Sequence, residues 1–216
     1  MKKLFIISIF TLLVVVGYGQ QDAKAKEILE KVTKTTQSLA SIEAKFSFEM
    51  SNKAEGISEK SSGTIVLKNK KYKLNIPQMG LQVYCDGKTI WTYMLHANEV
   101  SISNLDESTD DLMDPVRIFT IYERGFNYKY LGESVDGGVP VYNIDLIPQK
   151  ETGDIHSIKL MIDKQKMLIH GANMTGKDGN QYNVAIKEFK TDGVFKDSDF
   201  VFNPLLHKGV EIVDLR

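Results

Sequence analysis

The side chains that most often do chemistry in proteins are scattered along this 216-residue chain. Its histidines, at positions 96, 156, 170 and 207, stand at no metal-ligand spacing from a cysteine or a carboxylate. The single cysteine, Cys85, lies in an apolar strand pattern, where a buried and inert thiol is the ordinary case. As a nucleophile it would need histidine and asparagine partners from elsewhere in the fold. We therefore expect no metal site and no cofactor.

The carboxylates offer two further candidates. One is an acidic cluster of Asp106, Glu107, Asp110, Asp111 and Asp114. It could bind calcium, but its spacing matches no calcium loop, and a solvated loop is the simpler interpretation. Asp145 and Asp163 could form a catalytic pair, although outward-facing strand residues of this type are common. With no Gly-x-Ser-x-Gly and no glycine-rich phosphate loop, we expect no catalytic residues and a protein that is not an enzyme.

The first residues predict export. Lys2 and Lys3 precede an apolar run over residues 4–16, and Gly17 and Gly19 follow at the small-residue positions that a signal peptidase recognises. The run is short for a bilayer span. We expect a signal peptide over residues 1–19 and one domain over residues 20–216. The near balance of 27 basic and 28 acidic side chains argues against nucleic acid as a partner.

Two hydrophobic periods organise the rest. An amphipathic helix is predicted after Asp22, and alternating strand patterns recur from Ile42 to Thr191, separated by short turns. A second helix is predicted after Asp114-Pro115, with the apolar residues Val116, Ile118, Phe119, Ile121 and Tyr122. About ten strands in consecutive hairpins predict a mainly β fold (α+β), an antiparallel sheet that curls into an incomplete, strongly curved β-barrel.

The strands carry many large apolar side chains on one predicted face. The candidates for this face are Phe46, Phe48, Met50, Ile65, Leu67, Tyr72, Leu74, Ile76, Val83 and Trp91. Two interpretations remain open, because the alternation shows which side chains are buried but not whether the protein or a bound ligand covers them. The face either forms a solid core or lines a cavity that takes acyl chains under a helical lid.

Several segments together resemble the outer-membrane lipoprotein carrier (LolA) family. They are residues 39–46, 63–68, 86–93, 114–115, 199–204 and 209–211, in the family's order and spacing. The segment Asp86-Gly87-Lys88-Thr89-Ile90-Trp91-Thr92-Tyr93, similar to a hairpin of that family, is the most specific. The resemblance runs from about residue 25 to residue 216, judged by its motif order.

The resemblance implies a fold, a function and partners. Members form an incomplete antiparallel barrel closed by a helical lid, here residues Val116, Ile118, Phe119, Ile121 and Tyr122. They carry acylated lipoproteins through the periplasm, from an inner-membrane lipoprotein release complex to an outer-membrane receptor, with no cofactor. The implied lipid-binding cavity is lined by the apolar strand residues named above. We expect a monomer with this function, or alternatively a lipid-sensing or protein-binding periplasmic module on the same fold.

One position departs from the family pattern. Members carry an arginine just after the strand that corresponds to Gly63–Lys68, and it holds the lid shut. Asn69 and Lys70 stand there in this chain, and a lysine cannot reproduce the planar fork of donors of arginine. Asn69 and Lys70 are therefore the candidate lid latch, and three alternatives stay open: the latch is weaker than in the family, it uses Lys70 differently, or it is absent.

Overall fold

The computed structural model describes residues 22–105, 125–149 and 154–216. The predicted signal peptide, the acidic cluster at residues 106–114 and the predicted second helix with Val116, Ile118, Phe119, Ile121 and Tyr122 all lie outside these ranges. Within them, the chain forms one α-helix and one twelve-stranded sheet, with short 3-10 turns between some elements.

Helix α1 (Ala23–Ser38) forms where the sequence predicts it, because its start is capped and one side is apolar. The carboxylate of Asp22 accepts hydrogen bonds from the backbone N–H groups of Lys24 (2.9 Å) and Ala25 (3.1 Å). The buried side of the helix consists of Ala25, Ile28, Leu29 and Val32. Leu39 then takes an extended conformation, which ends the helix.

The strands follow in chain order with short connections. They are β1 (Ile42–Asn52), β2 (Ile57–Lys68), β3 (Lys71–Ile76), β4 (Leu81–Cys85), β5 (Thr89–Met94), β6 (Glu99–Asn104), β7 (Phe126–Asp136), β8 (Val139–Pro148), β9 (Ile155–Asp163), β10 (Leu168–Gly176), β11 (Gln181–Thr191) and β12 (Glu211–Asp214).

The strand order in the sheet is β12-β6-β5-β4-β3-β2-β1-β11-β10-β9-β8-β7. Neighbouring strands run antiparallel, except for β12, which runs parallel to β6. The sheet is large, open and curled, which confirms the predicted fold class of a mainly β, incomplete barrel. The upper end of the sheet is defined as the end at which β1 reaches Asn52, and the lower end as the end at which β1 begins with Ile42.

Helix α1 packs on one face of this sheet, here called the concave face. The main core lies between them and is formed mostly by aliphatic side chains of α1, β1–β4 and β8–β11. Gly63 on β2 makes room for the ring of Phe46 on the neighbouring strand. A Cβ atom on Gly63 would stand 2.7 Å from Cζ of Phe46 and 2.6 Å from the carbonyl oxygen of Asn75. The core therefore requires a glycine at this point.

The opposite, outer face is covered in part by the C-terminal segment 192–210, here called the strap. Nζ of Lys71 lies 2.7 Å from the carboxylate of Asp197, and Nζ of Lys68 donates to the carbonyl oxygen of Phe195 (2.7 Å). Beyond these anchors Phe200 is fully buried. A second, aromatic core, here called the outer cluster, contains Tyr84, Tyr93, Val100 and Phe202, with Trp91 and Val210 packed against it. The strap thus fixes β12 beside β6.

Candidate functional site

The period-two alternation brings the predicted apolar residues together on the concave face. Cross-strand pairs join Ile65 to Leu74 and Leu74 to Val83, so these side chains form one continuous row. The residues of the predicted set that belong to the main core are Phe46, Ile65, Leu67, Tyr72, Leu74, Ile76 and Val83, with Phe48 packed against them.

Trp91 departs from the predicted set. It stands directly opposite Tyr84, whereas its neighbour Ile90 pairs with Cys85 and packs against the main core. Trp91 therefore points to the outer face and contacts the outer cluster. Placing Trp91 in the cavity was wrong, because β5 buries apolar side chains on both faces and the sequence alone does not say which face a residue takes.

Burial of the concave face decreases toward its upper end. Along β1, Ile42 and Ala44 are buried, Phe46 is 9% exposed, and Phe48 and Met50 are only half-buried. The same change occurs across the sheet, where Met79, Met94 and Leu95 are 44%, 38% and 55% exposed. We call the apolar group at this end the rim, which comprises Phe48, Met50, Met79, Leu81, Met94 and Leu95.

Strand β11 completes the rim with residues that sequence reasoning missed. The ring of Tyr182 stacks on that of Phe48, with centroids 6.1 Å apart, and Val184 stands opposite Phe48 in the ladder. The signal was present as an alternating pattern in β11, but the pairing of β11 with β1 joins residues far apart in the sequence. Only the sheet order places Tyr182 at this site.

The position of α1 leaves the rim uncovered by described residues. The helix starts at the edge strand β7, where the backbone N–H of Tyr130 donates to the Asp22 carboxylate (3.0 Å). This hydrogen bond, followed by that from Ala25, lowers the pKa of the Asp22 carboxyl below its usual range. From there α1 contacts β7 and β10 and ends near the lower end of β1.

The predicted latch residues lie in the β2–β3 turn, at the lower end. Asn69 has a φ of 56°, a left-handed turn conformation that asparagine adopts more readily than most residues. The thiol of Cys85 lies 3.9 Å from the carbonyl oxygen of Lys70, and the Cβ of Lys70 packs close to Gly87. The lid segment that these two residues would hold lies outside the described ranges, so the latch stays a prediction.

The remaining chemistry-bearing residues have structural surroundings. Cys85 is buried in the main core, and its sulfur accepts a hydrogen bond from the backbone N–H of Gly87 (3.3 Å). The carboxylate of Asp163 accepts from two backbone N–H groups in the β9–β10 turn. His207 stacks on Phe202, with ring centroids 4.6 Å apart. Across residues 22–105, 125–149 and 154–216, no three His, Cys, Asp or Glu side chains are grouped to hold a metal ion.

Comparison with known proteins identifies relatives of the chain. The model of the family described as "Outer membrane lipoprotein carrier protein LolA" matches residues 15–178. This match ends before the strap, whereas the sequence resemblance extended to residue 216. No curated protein matches the chain. None of the helices in the described ranges is long and apolar enough to cross a membrane.

One solved structure shares the fold at low sequence identity, and others are less similar. An uncharacterized conserved protein from Thermus thermophilus is similar with a TM-score of 0.62 and 15% identity, over 88% of this chain and 99% of that one. A LolA superfamily protein from Nitrosomonas europaea has a TM-score of 0.45 and 12% identity, over 85% and 99%. The lipoprotein LppX from Mycobacterium tuberculosis has a TM-score of 0.45 and 12% identity, over 81% and 98%.

Proposed function

The chain belongs to the LolA family of outer-membrane lipoprotein carrier proteins, and from that premise we propose that it is a periplasmic carrier of lipoproteins. It shields the acyl chains of a lipoprotein on its concave face and delivers the lipoprotein from the inner to the outer membrane. Export depends on the signal peptide over residues 1–19, and residues 20–216 form the single carrier domain, which acts as a monomer without a cofactor.

The rim is the observation that carries the proposal. Met79, Met94 and Leu95 expose large apolar side chains at one end of a face that is otherwise buried. Large apolar side chains that stay exposed at one end of a buried face are candidates for a binding site. Phe48 and Met50 lie on the same face of β1 as the buried Phe46, so an acyl chain that enters at this part of the rim can continue along β1.

The chemistry of this surface suits an acyl chain. Each buried methylene contributes about 0.8 kcal/mol, so a few chains are enough for tight binding without any polar contact. The rim includes Met50, Met79 and Met94, and the flexible thioether side chain adapts to ligands of different shape. Release of the acyl chains requires that opening of the lid offset part of this binding free energy.

The lid and the partners complete the proposal. Val116, Ile118, Phe119, Ile121 and Tyr122 cover the acyl chains from the concave side, and Asn69 and Lys70 hold the lid less firmly than an arginine would. A loosely held lid favours transfer, because less free energy separates the open and closed states. The donor is an inner-membrane lipoprotein release complex and the acceptor is an outer-membrane receptor.

A two-step transfer assay tests the proposal. The mature chain is added to spheroplasts that export a labelled lipoprotein, and the soluble complex is then mixed with outer membranes. We expect release of the lipoprotein into the supernatant and its incorporation into the outer membranes, both lost in Phe48→Glu. Ser47→Glu is the matched control, because Ser47 is the adjacent residue of β1 and points to the other face.

The outcome also separates the carrier from a lipid-sensing or protein-binding module. A carrier releases lipoprotein from spheroplasts and passes it on. Binding of lipopeptide without release or transfer would overturn delivery and leave a lipid-sensing role. Release that is equally efficient with Phe48→Glu would overturn the concave face as the binding site.

A further inference from the structure

A cleft on the outer face is the strongest feature that lipid binding on the concave face does not use. It lies between the strap and strands β2–β4 and has a volume of about 480 Å³. This volume is within the range of small-molecule sites, about 300–1,000 Å³. We call it the outer cleft, and its lining residues are Thr64, Val66, Lys73, Asn75, Gln82, Tyr84, Phe195, Asp199 and Phe200.

The floor of the outer cleft is a rigid platform of three paired strands. In one cross-strand row Thr64 pairs with Asn75, and Asn75 pairs with Gln82. The next row contains Val66, Lys73 and Tyr84. Side chains two residues apart on a strand share a face, so both rows point toward the strap. The platform therefore presents a row of neutral polar groups beside a row with one cation.

Several of these polar groups have no partner within the described part of the chain. The hydroxyl of Thr64, the amide of Asn75 and the ammonium of Lys73 make no hydrogen bond to another described side chain or backbone group. Burial raises the pKa of the Tyr84 phenol, which stays protonated and donates to Oε1 of Gln82 (2.9 Å). That bond leaves the NH2 group of Gln82 available to a ligand.

The charges of the cleft favour an anion. Nζ of Lys73 lies 5.0 Å from the centre of the Tyr84 ring, and no carboxylate of a described residue stands within 4.0 Å of it. Just below, Lys68 and Lys71 both contact Asp197, which offsets one of their two positive charges and anchors the strap. Asp199 is the one acidic residue of the lining, and its carboxylate accepts from the backbone N–H of Lys196 (2.7 Å).

The strap supplies the apolar wall. The rings of Phe195 and Phe200 meet edge to face with centroids 6.3 Å apart, and Phe200 is fully buried. An edge-to-face pair of this kind favours this relative orientation of the two rings. The wall opposes the polar platform, so a ligand in the cleft meets hydrogen-bonding groups on one side and aromatic rings on the other.

We propose that the outer cleft is a second binding site, which takes a small organic anion. The carboxylate or phosphate group of the ligand contacts Lys73, and its apolar body packs against Phe195 and Phe200. The site is separate from the concave face, because the two lie on opposite sides of the same strands. It also depends on the strap, which the LolA family match does not include.

Titration of the mature chain by amide NMR tests the proposal. The probes are benzoate, phenyl phosphate, benzyl alcohol and benzylamine, which share a ring and differ in charge. We expect saturable shifts at Val66, Lys73, Tyr84 and Phe200 with an anionic probe, and affinity about tenfold above that of benzyl alcohol. The tighter of benzoate and phenyl phosphate identifies the anionic group.

Variants assign the preference to Lys73. Lys73→Gln is expected to bind all four probes alike, whereas Lys73→Arg retains the charge and the preference for anions. Lys187→Gln, at an exposed position of β11, controls for loss of one positive charge. Phe48→Glu should leave the titration unchanged, which separates this site from the proposed carrier function.

Three results would overturn the proposal. They are the absence of saturable shifts at the cleft, tighter binding of benzylamine than of the anions, and an anion preference that survives in Lys73→Gln.

Discussion

Strands β3 and β4 bury side chains on both faces, and the two faces are built differently. On the concave face Leu74 and Val83 belong to a largely aliphatic core that becomes exposed toward the rim. On the outer face Tyr84 belongs to a small aromatic cluster over which the strap is fixed by an ion pair and a buried ring. The strap thus adds buried rings to the outer face, whereas the rim leaves apolar side chains exposed at one end of the concave face.

The largest effect is expected from Phe200, because it is the fully buried ring of the strap. Phe200→Ala should lower the free energy of unfolding by about 3–5 kcal/mol, as for other buried rings. Urea unfolding measures this change. Phe48→Ala, at the half-buried rim, should cost only about 1 kcal/mol. Equal losses in the two variants would contradict the difference between the faces.

Gly63 should give the next largest effect. In Gly63→Ala the new Cβ would press on the ring of Phe46 and on the backbone of β3, and overpacking of this kind costs about 1–3 kcal/mol. Ser61→Ala is the control, since Ser61 lies on the same strand and face opposite Phe48. Thermal unfolding of both variants measures the effect. A Gly63→Ala protein as stable as the control would show that the ring of Phe46 is free to move.

Smaller, pH-dependent effects are expected where each face is anchored by a carboxylate. Hydrogen bonds from Tyr130 and Ala25 lower the pKa of Asp22, and Lys71 lowers the pKa of Asp197. A folded-state pKa below the unfolded value of about 3.9 stabilises the protein above that pH. This contribution is lost as the pH falls through the folded pKa.

Substitution of each anchor by asparagine tests the pH effect. Asp22→Asn and Asp197→Asn should lower the melting temperature at pH 7. The difference in melting temperature between each variant and the unsubstituted protein, here called the gap, should be smaller at pH 3. Asp22→Asn retains one acceptor for the helix cap but loses the second oxygen, which accepts from Tyr130, so its loss at pH 7 reports the missing charge together with that hydrogen bond. A gap that does not change with pH would exclude the carboxylate charge as its cause.

The smallest effect concerns Trp91, the only tryptophan of the chain. It contacts the outer cluster, so its fluorescence reports the strap side of the sheet. Phe200→Ala should shift its emission to longer wavelength, because the strap no longer excludes water. A lipopeptide bound to the concave face should leave the emission unchanged. A large shift on lipopeptide binding would place the acyl chains on the outer face.

The faces also differ in how much the sequence predicts. The alternation at Ile65, Leu74 and Val83 is a local pattern, and it correctly predicted strands with one shared apolar face. Trp91 was misplaced, because β5 is apolar on both faces and its register depends on β4 and β6. Tyr182 was missed for a different reason, since the pairing of β11 with β1 depends on long-range contacts.

The strap has no periodic pattern of apolar residues from which its packing on the outer face could be predicted. Phe195, Phe200 and Phe202 are spaced irregularly, and they pack on the sheet in a segment that also forms ion pairs with residues of β2 and β3. The outer cleft follows from that docking and was not foreseen. The signal peptide, the lid and the latch stay predictions, as does the monomeric state.

Native mass spectrometry of residues 20–216 with a diacylated lipopeptide shows whether the concave face binds acyl chains. We expect a one-to-one complex for the unsubstituted protein and for Ser47→Glu, and its loss in Phe48→Glu. Circular dichroism confirms that each variant is folded. A folded Phe48→Glu protein that retains the lipopeptide would contradict the claim that the rim and the concave face bind acyl chains.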